Sequence, residues 1–138
     1  MKRRRVLPWL VLAGMLLGIP GLSRAAGLEV QVVEASNTAM GEDERLGPLL
    51  PQLRAFYRYT SFRLLERRVL SRDGGTVPMP GGRRVVVSRV DGRLRVKIQG
   101  KDRVLLEGTY RVAPGEPLLV GGPRHREGVL IVTITAVP

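Results

Sequence analysis

Two alternating runs joined by Asp91-Gly92 constrain the fold of this chain more than any other feature. The run RRVVVSRV precedes the pair and RLRVKIQ follows it. In the second run, apolar residues alternate strictly with basic ones: Leu94, Val96 and Ile98 against Arg93, Arg95 and Lys97. Such alternation is typical of a strand with one buried and one solvated face. An Asp-Gly pair between two such runs favours a type I′ turn, which needs positive φ. The segment therefore predicts an antiparallel hairpin.

Short apolar runs separated by turn residues continue through the rest of the chain. Besides the hairpin, strands are predicted at residues 28–35, 60–72, 103–112, 117–122 and 128–136. About seven strands at this spacing are typical of an antiparallel β-sandwich or a partly open barrel. Within the last strand, the continuous run VLIVTI indicates coverage on both faces.

Three segments lack this alternation. Residues 36–45 are small and polar and predict a loop, whose acidic run suits the start of a helix. Residues 46–56 predict one short helix, because Pro48 and Pro51 limit its regular length. The segment TVPMPGG (76–82) predicts a proline-rich bend, better suited to a sheet edge than to its centre. We therefore expect a mainly β fold with one short helix.

The first 25 residues have the composition of an export signal. Lys2 and three following arginines precede an apolar stretch from Val6 to Ile19, and Ser23-Arg24-Ala25 supplies the small residues of a cleavage site. The apolar stretch is shorter than the ~20 residues that a membrane-spanning helix needs. We predict a signal peptide over 1–25 and a periplasmic or secreted protein. An uncleaved N-terminal membrane anchor is the alternative.

Residues 26–138 predict a single β-rich domain. The chain contains no cysteine, which excludes disulfides and thiolate metal ligands. Residues 1–25 hold five of the 23 Lys and Arg and none of the 12 acidic residues, which leaves a charge of +6 on the rest. This charge favours acidic partners or anionic surfaces.

Residues that catalysis or metal binding needs are few. The chain has a single histidine, and Ser61, Ser71 and Ser88 fall in predicted strands without the glycine-framed turn of a nucleophilic serine. Its acidic residues are scattered and match no calcium-loop pattern. We therefore expect a protein that is not an enzyme and that uses no metal and no small-molecule cofactor.

The single histidine lies in the segment GGPRHREG, where Arg124 and Arg126 flank His125. Its imidazole titrates near neutral pH, so a pH-sensitive or ligand-contacting role is one interpretation. The other is a solvated hairpin loop, in which Gly121 and Gly122 adopt backbone angles that favour glycine.

A second candidate site is the segment FYRYTSF, which contains four of the six aromatic residues. Tyr57, Arg58 and Tyr59 form its centre. Aromatic rings interleaved with arginine are typical of single-stranded nucleic acid binding, although export argues against that partner. Alternatively, the rings cover the core where the helix meets the next strand.

The basic positions of the hairpin are a third candidate. Arg93, Arg95 and Lys97 would lie on one face and could dock an acidic protein, an anionic lipid or a glycan. Such a row also occurs as a solvated face that prevents edge-to-edge aggregation.

Several stretches of the chain resemble a group of uncharacterised small exported proteins of Gram-negative bacteria. The matching stretches are Gln52-Leu53-Arg54, 61–65, 80–84 and 121–131, the last with the pattern GGPRH…GVLI. Arg126-Glu127 replace a Gly-Asp pair of that pattern, which makes the loop bulkier. The resemblance implies a compact β-rich periplasmic domain and brings no known activity.

These observations favour an exported module that binds or scaffolds an envelope protein or an anionic component of the cell surface. The alternative is a polyanion-binding module that uses the basic face and the FYRYTSF segment.

Overall fold

The computed structural model describes residues 27–37 and 43–138, so the predicted signal peptide lies outside the described residues. The strands are β1 (Gly27–Ser36), β2 (Ser61–Ser71), β3 (Gly74–Met79), β4 (Arg83–Val90), β5 (Arg93–Gln99), β6 (Val104–Tyr110), β7 (Leu118–His125) and β8 (Gly128–Val137). A 3-10 helix spans Glu44–Leu46, and helix α1 spans Leu49–Phe56. Within these two ranges, no helix has the length and apolar character needed to cross a membrane.

The eight strands form one antiparallel sheet that curls into a nearly closed barrel, in the order β6-β5-β4-β3-β2-β1-β8-β7. The predicted mainly β fold with a partly open barrel is confirmed, with eight strands rather than about seven. Strands β2 and β3 pair only through Ser71 and Gly74, so the sheet has two four-stranded halves. Strands β6 and β7 are the free ends of the sheet.

Strand β3 is the element that the sequence prediction treated as a bend. Its residues pair with β4 along their whole length, and Pro78 lies opposite Arg84. Beyond Gly74, the β2 side of β3 has no ladder partner. Proline has no N–H to donate, and it is tolerated where one side of a strand is unpaired. The expectation of an edge-like environment was therefore right, whereas the expected bend is found only at residues 80–82 and residues 76–79 form a strand.

The β4–β5 hairpin has the predicted turn and register. Asp91 and Gly92 have φ angles of 51° and 76°, as a type I′ turn requires. Val96 is completely buried, whereas the neighbouring Arg95 is exposed. The strict alternation thus places the apolar row inside the barrel and the basic row outside it.

The inner core fills the barrel between the two halves of the sheet. It contains apolar side chains from six strands, including Val30 and Val32 of β1, Val85 and Val87 of β4, Leu94, Val96 and Ile98 of β5, and Leu130, Val132 and Ile134 of β8. These strands belong to both halves of the sheet, so the two halves bury apolar side chains against each other. This burial holds the halves together, since β2 and β3 are paired at only one position.

A second core lies on the outer face of the sheet, under helix α1. Leu49 and Leu53 of α1 pack there with Val33 of β1, Phe62 of β2 and Ile131 of β8. Strand β8 is therefore covered on both faces, as the run VLIVTI predicts. Asp43 fixes the entry to the helical segment, because its carboxylate accepts hydrogen bonds from the Arg45 and Leu64 amides, each at 3.0 Å.

The β7–β8 hairpin differs from the predicted glycine-rich loop. Strand β7 continues to His125, and only Arg126 and Glu127 form the turn. Gly121 and Gly122 are not among the residues with positive φ. Instead, a Cβ at Gly122 would lie only 2.7 Å from the Leu130 carbonyl oxygen. The expectation of glycine-specific backbone angles was wrong, and close approach of two backbones is what requires glycine here.

Candidate functional site

A groove of about 670 Å³ lies between the end of helix α1 and the start of strand β7. We call it the β7 groove; its lining residues are Gln52, Phe56, Tyr57, Glu116, Pro117, Leu118 and Leu119. Phe56 is 72% exposed, the highest value among the exposed large hydrophobic residues. Phe56 lines this groove together with Pro117, Leu118 and Leu119, and a contiguous apolar patch of this kind can serve as a contact surface.

Strand β7 borders this groove with an unpaired backbone edge. It pairs with β8 on one side and is the last strand of the sheet on the other. The N–H and C=O groups on a free edge can accept another strand. The groove therefore combines apolar side chains with main-chain hydrogen-bonding groups.

Tyr57 connects the FYRYTSF segment to strand β7. Its hydroxyl oxygen lies 3.3 Å from the point that a Cβ of Gly121 would occupy, so the ring covers this glycine. Burial raises the pKa of the Tyr57 hydroxyl above its ordinary value. Two of the predicted sites, FYRYTSF and GGPRHREG, thus meet on the outer face of β7.

The aromatic residues of FYRYTSF have different roles. Phe62 is completely buried, and Tyr57 and Tyr59 are half-buried against the outer core. The interpretation that the rings cover the core holds for these three side chains. It fails for Phe56, which is free to stack on or pack against a partner.

Three arginines lie outside the groove lining: Arg58 follows Tyr57 in the chain, and Arg124 and Arg126 lie at and just beyond the opposite end of β7. Arg58, Arg124 and Arg126 are exposed, and they form no ion pair with any residue in 27–37 or 43–138. Arg124 is three residues from Gly121, about 10 Å along a strand. These cations are available to a negatively charged partner.

His125 belongs to a charge cluster and not to a solvated loop. Its Nε2 lies 3.6 Å from Oε2 of Glu34, whose Oε1 accepts a hydrogen bond of 2.7 Å from Nη2 of Arg63. The His125 and Glu34 side chains are only 19% and 10% exposed. This cluster ties β7 to β1 and β2.

No sequence pattern predicts this cluster, because it depends on the order of the strands in the sheet. Glu34 and Arg63 form a cross-strand pair, and His125 reaches Glu34 over β8. In the described ranges, no three side chains of His, Cys, Asp or Glu are grouped so that they could hold a metal ion.

The third candidate, the basic face, has the predicted geometry. Arg93, Arg95 and Lys97 lie on the outer face of β5, at about 7 Å spacing along the strand. Arg95 contacts Glu107 of β6 at 3.8 Å, which is a weak pair because both side chains are about half exposed. This face is on the opposite half of the sheet from the β7 groove.

A comparison with protein-family models gave no match, and comparisons with curated proteins and with solved structures gave no significant match.

Proposed function

We propose that the protein is an exported binding module that holds an extended segment of another envelope protein in the β7 groove. The observation that carries this proposal is the position of a 72% exposed phenylalanine, Phe56, directly beside an unpaired strand edge. The predicted signal peptide supports export and an envelope partner.

The chemistry of the groove favours a polypeptide in extended conformation. Such a segment can add to the free edge of β7 as a ninth strand, with main-chain hydrogen bonds to the residues that follow Pro117. Alternate side chains of the segment would then contact Phe56 and Leu119 on the outer face. An apolar residue is the expected anchor at this position.

Exposed arginines near β7 define the rest of the partner segment. Arg58, Arg124 and Arg126 lack an acidic partner among the described residues. A carboxylate that reaches these cations would gain attraction without separating an existing pair. Arg124 lies five residues beyond Leu119 on β7, so we expect an apolar residue with Asp or Glu about five positions away along the segment.

Site-specific photocrosslinking in the native host tests the proposal. A photoreactive phenylalanine at position 56 should crosslink to one envelope protein, and mass spectrometry should map the attachment to a segment with this apolar-acidic pattern. A synthetic peptide of that segment should bind the purified protein, and Phe56→Asp should weaken the binding at least tenfold.

Val69 provides the matched control, since it is 65% exposed but lies on β2. A photoreactive residue at position 69 should give no such adduct, and Val69→Asp should leave peptide binding unchanged. Equal crosslinking at both positions, or a mapped peptide that fails to bind, would contradict the proposal.

The basic face supports a second candidate function, the binding of a polyanion. Three cations on one strand, with Glu107 as their acidic neighbour on β6, can contact successive negative groups of an anionic polymer. Binding to heparin as a model polyanion should then weaken steeply as the salt concentration rises.

Replacement of Arg93, Arg95 and Lys97 by serine should remove heparin binding while peptide binding in the β7 groove persists. If Phe56→Asp also removed heparin binding, the basic face would not be the polyanion site.

A further inference from the structure

A second, more polar cavity of about 250 Å³ lies between helix α1 and the outer face of β1 and β8. Its hydrogen-bonding residues are Glu29, Gln31, Gln52, Arg67 and Thr135, and Leu46, Leu49 and Pro117 form apolar walls. One liquid water occupies about 30 Å³, so the volume corresponds to about eight waters. It is therefore large enough for a ring-sized molecule.

Gln31 supplies a hydrogen-bonding amide to the cavity wall. The residue is 7% exposed, and its side-chain amide makes no hydrogen bond to any other residue of the described ranges. It lies opposite Thr133 of β8, whose buried hydroxyl oxygen also lacks a partner among the described residues. The Gln31 amide atoms remain accessible from the cavity, so a molecule bound there would be their hydrogen-bond partner.

The carboxylate of Glu29 adds an acceptor beside Gln31. Nε of Arg67 donates to Oε2 of Glu29 at 2.6 Å, and Glu29 Oε1 has no hydrogen bond within the described part of the chain. The charges of Arg67 and Glu29 already neutralise each other. A charged ligand would have to displace one of these two residues from the ion pair, or be buried without an opposite charge. A neutral ligand that donates to Oε1 fits better.

From this arrangement we infer that the cavity is a binding site for a neutral, ring-sized ligand that carries hydroxyl or amide groups and one apolar face. The apolar face would pack on Leu46, Leu49 and Pro117, and the polar edge would bond to Gln31 and Glu29. A glycan residue has this chemistry. The cavity shares Gln52 and Pro117 with the adjoining β7 groove, whereas Gln31 and Glu29 belong to the cavity alone and Phe56 to the groove alone.

Binding of N-acetylglucosamine, glucose and acetamide to the purified protein tests the inference. Heteronuclear NMR should show saturable shifts of the Gln31 side-chain amide with N-acetylglucosamine. The other two probes show whether the ring hydroxyls or the amide group carries the binding. Sodium acetate should cause no comparable shift.

Gln31→Leu should affect binding and leave folding nearly unchanged. The variant should lose at least tenfold in affinity for N-acetylglucosamine, whereas its Tm without ligand should stay within about 4 °C of the parent value, since leucine is close to glutamine in size. Gln99→Leu is the matched control, a half-buried glutamine on the other half of the sheet, and it should leave the affinity unchanged.

Two results would overturn the inference. One is the absence of saturable shifts with all three neutral probes while the protein is folded, which would leave a cavity filled with water alone. The other is retention of binding by Gln31→Leu. Neither result bears on the β7 groove, because peptide binding is measured separately through Phe56.

Discussion

Replacement of Gly128 by alanine should destabilise the fold by about 3 kcal/mol, at the upper end of the usual cost of overpacking. Gly128 opens β8, and a Cβ there would lie against the Ala35 carbonyl oxygen of β1, closer than non-bonded atoms approach. The obstacle is backbone, so no side-chain rotation can relieve it. Strand β8 would have to move away from β1 where Ala35 pairs with Val129.

Thermal and urea unfolding measured by circular dichroism test this value. For a domain of this size, 1 kcal/mol shifts Tm by about 4–8 °C, so Gly128→Ala should lower Tm by roughly 12–24 °C. The urea m-value should stay the same, because the substitution does not change the surface exposed on unfolding.

Gly100→Ala is the matched control. A Cβ at Gly100 would meet only side-chain carbons of Leu105, at 3.4 Å, and the backbone there does not have positive φ. Its stability should therefore change by less than ~1 kcal/mol. Similar Tm shifts for the two variants would show that close approach of the β1 backbone is not what requires glycine at position 128.

Four further substitutions test the strand register and the contacts of His125 and Asp43. Val96→Asp should lower the free energy of unfolding in urea by ~3 kcal/mol or more, since it buries an unpaired charge. Arg95→Ala should change that free energy by less than ~0.5 kcal/mol. Equal effects of the two substitutions would contradict the inward position of Val96. His125→Ala should cost less than ~1 kcal/mol near neutral pH, because Glu34 keeps its hydrogen bond to Arg63; a larger loss would make the imidazole essential to the β7–β1 link. The hydrogen bond with Arg45 holds the pKa of the Asp43 carboxyl well below its usual range. The ionised carboxylate therefore stabilises the fold fully above the unfolded-state pKa of about 3.9, and this stabilisation is lost as the pH falls further. Below about pH 4, the free energy of unfolding of Asp43→Asn in urea should therefore change less with pH than that of the parent protein. An unchanged pH dependence would mean that other carboxylates cause the acid sensitivity.

Local patterns in the sequence predict local structure well in this protein. The Asp91-Gly92 turn, the inward row containing Val96 and the short helix α1 all follow from residue type and spacing over a few positions. Each depends on interactions between neighbours in the chain, and sequence patterns record such interactions directly.

The candidate sites depend on strand order, which those patterns do not record. The residues of the β7 groove come from α1 and from the start of β7, some 60 residues apart in the chain. The role of Gly128 likewise depends on the β1 backbone beside it, and the contact of His125 with Glu34 spans three strands. The basic face of β5 could be predicted from the sequence, because its three residues alternate along one strand and need no neighbouring strand to bring them together.

The central position of β1 has a consequence for how the protein reaches its folded state. Strand β1 pairs with β8, although about ninety residues separate them in the chain. Ordering so long a loop is entropically costly, whereas the β3–β4 and β4–β5 hairpins can form from neighbouring residues. We expect these hairpins to form early and the β1–β8 ladder to close late, so that the chain remains incompletely folded until β8 has been synthesised. A chain with this order of events exposes its VLIVTI strand to other chains before the barrel closes.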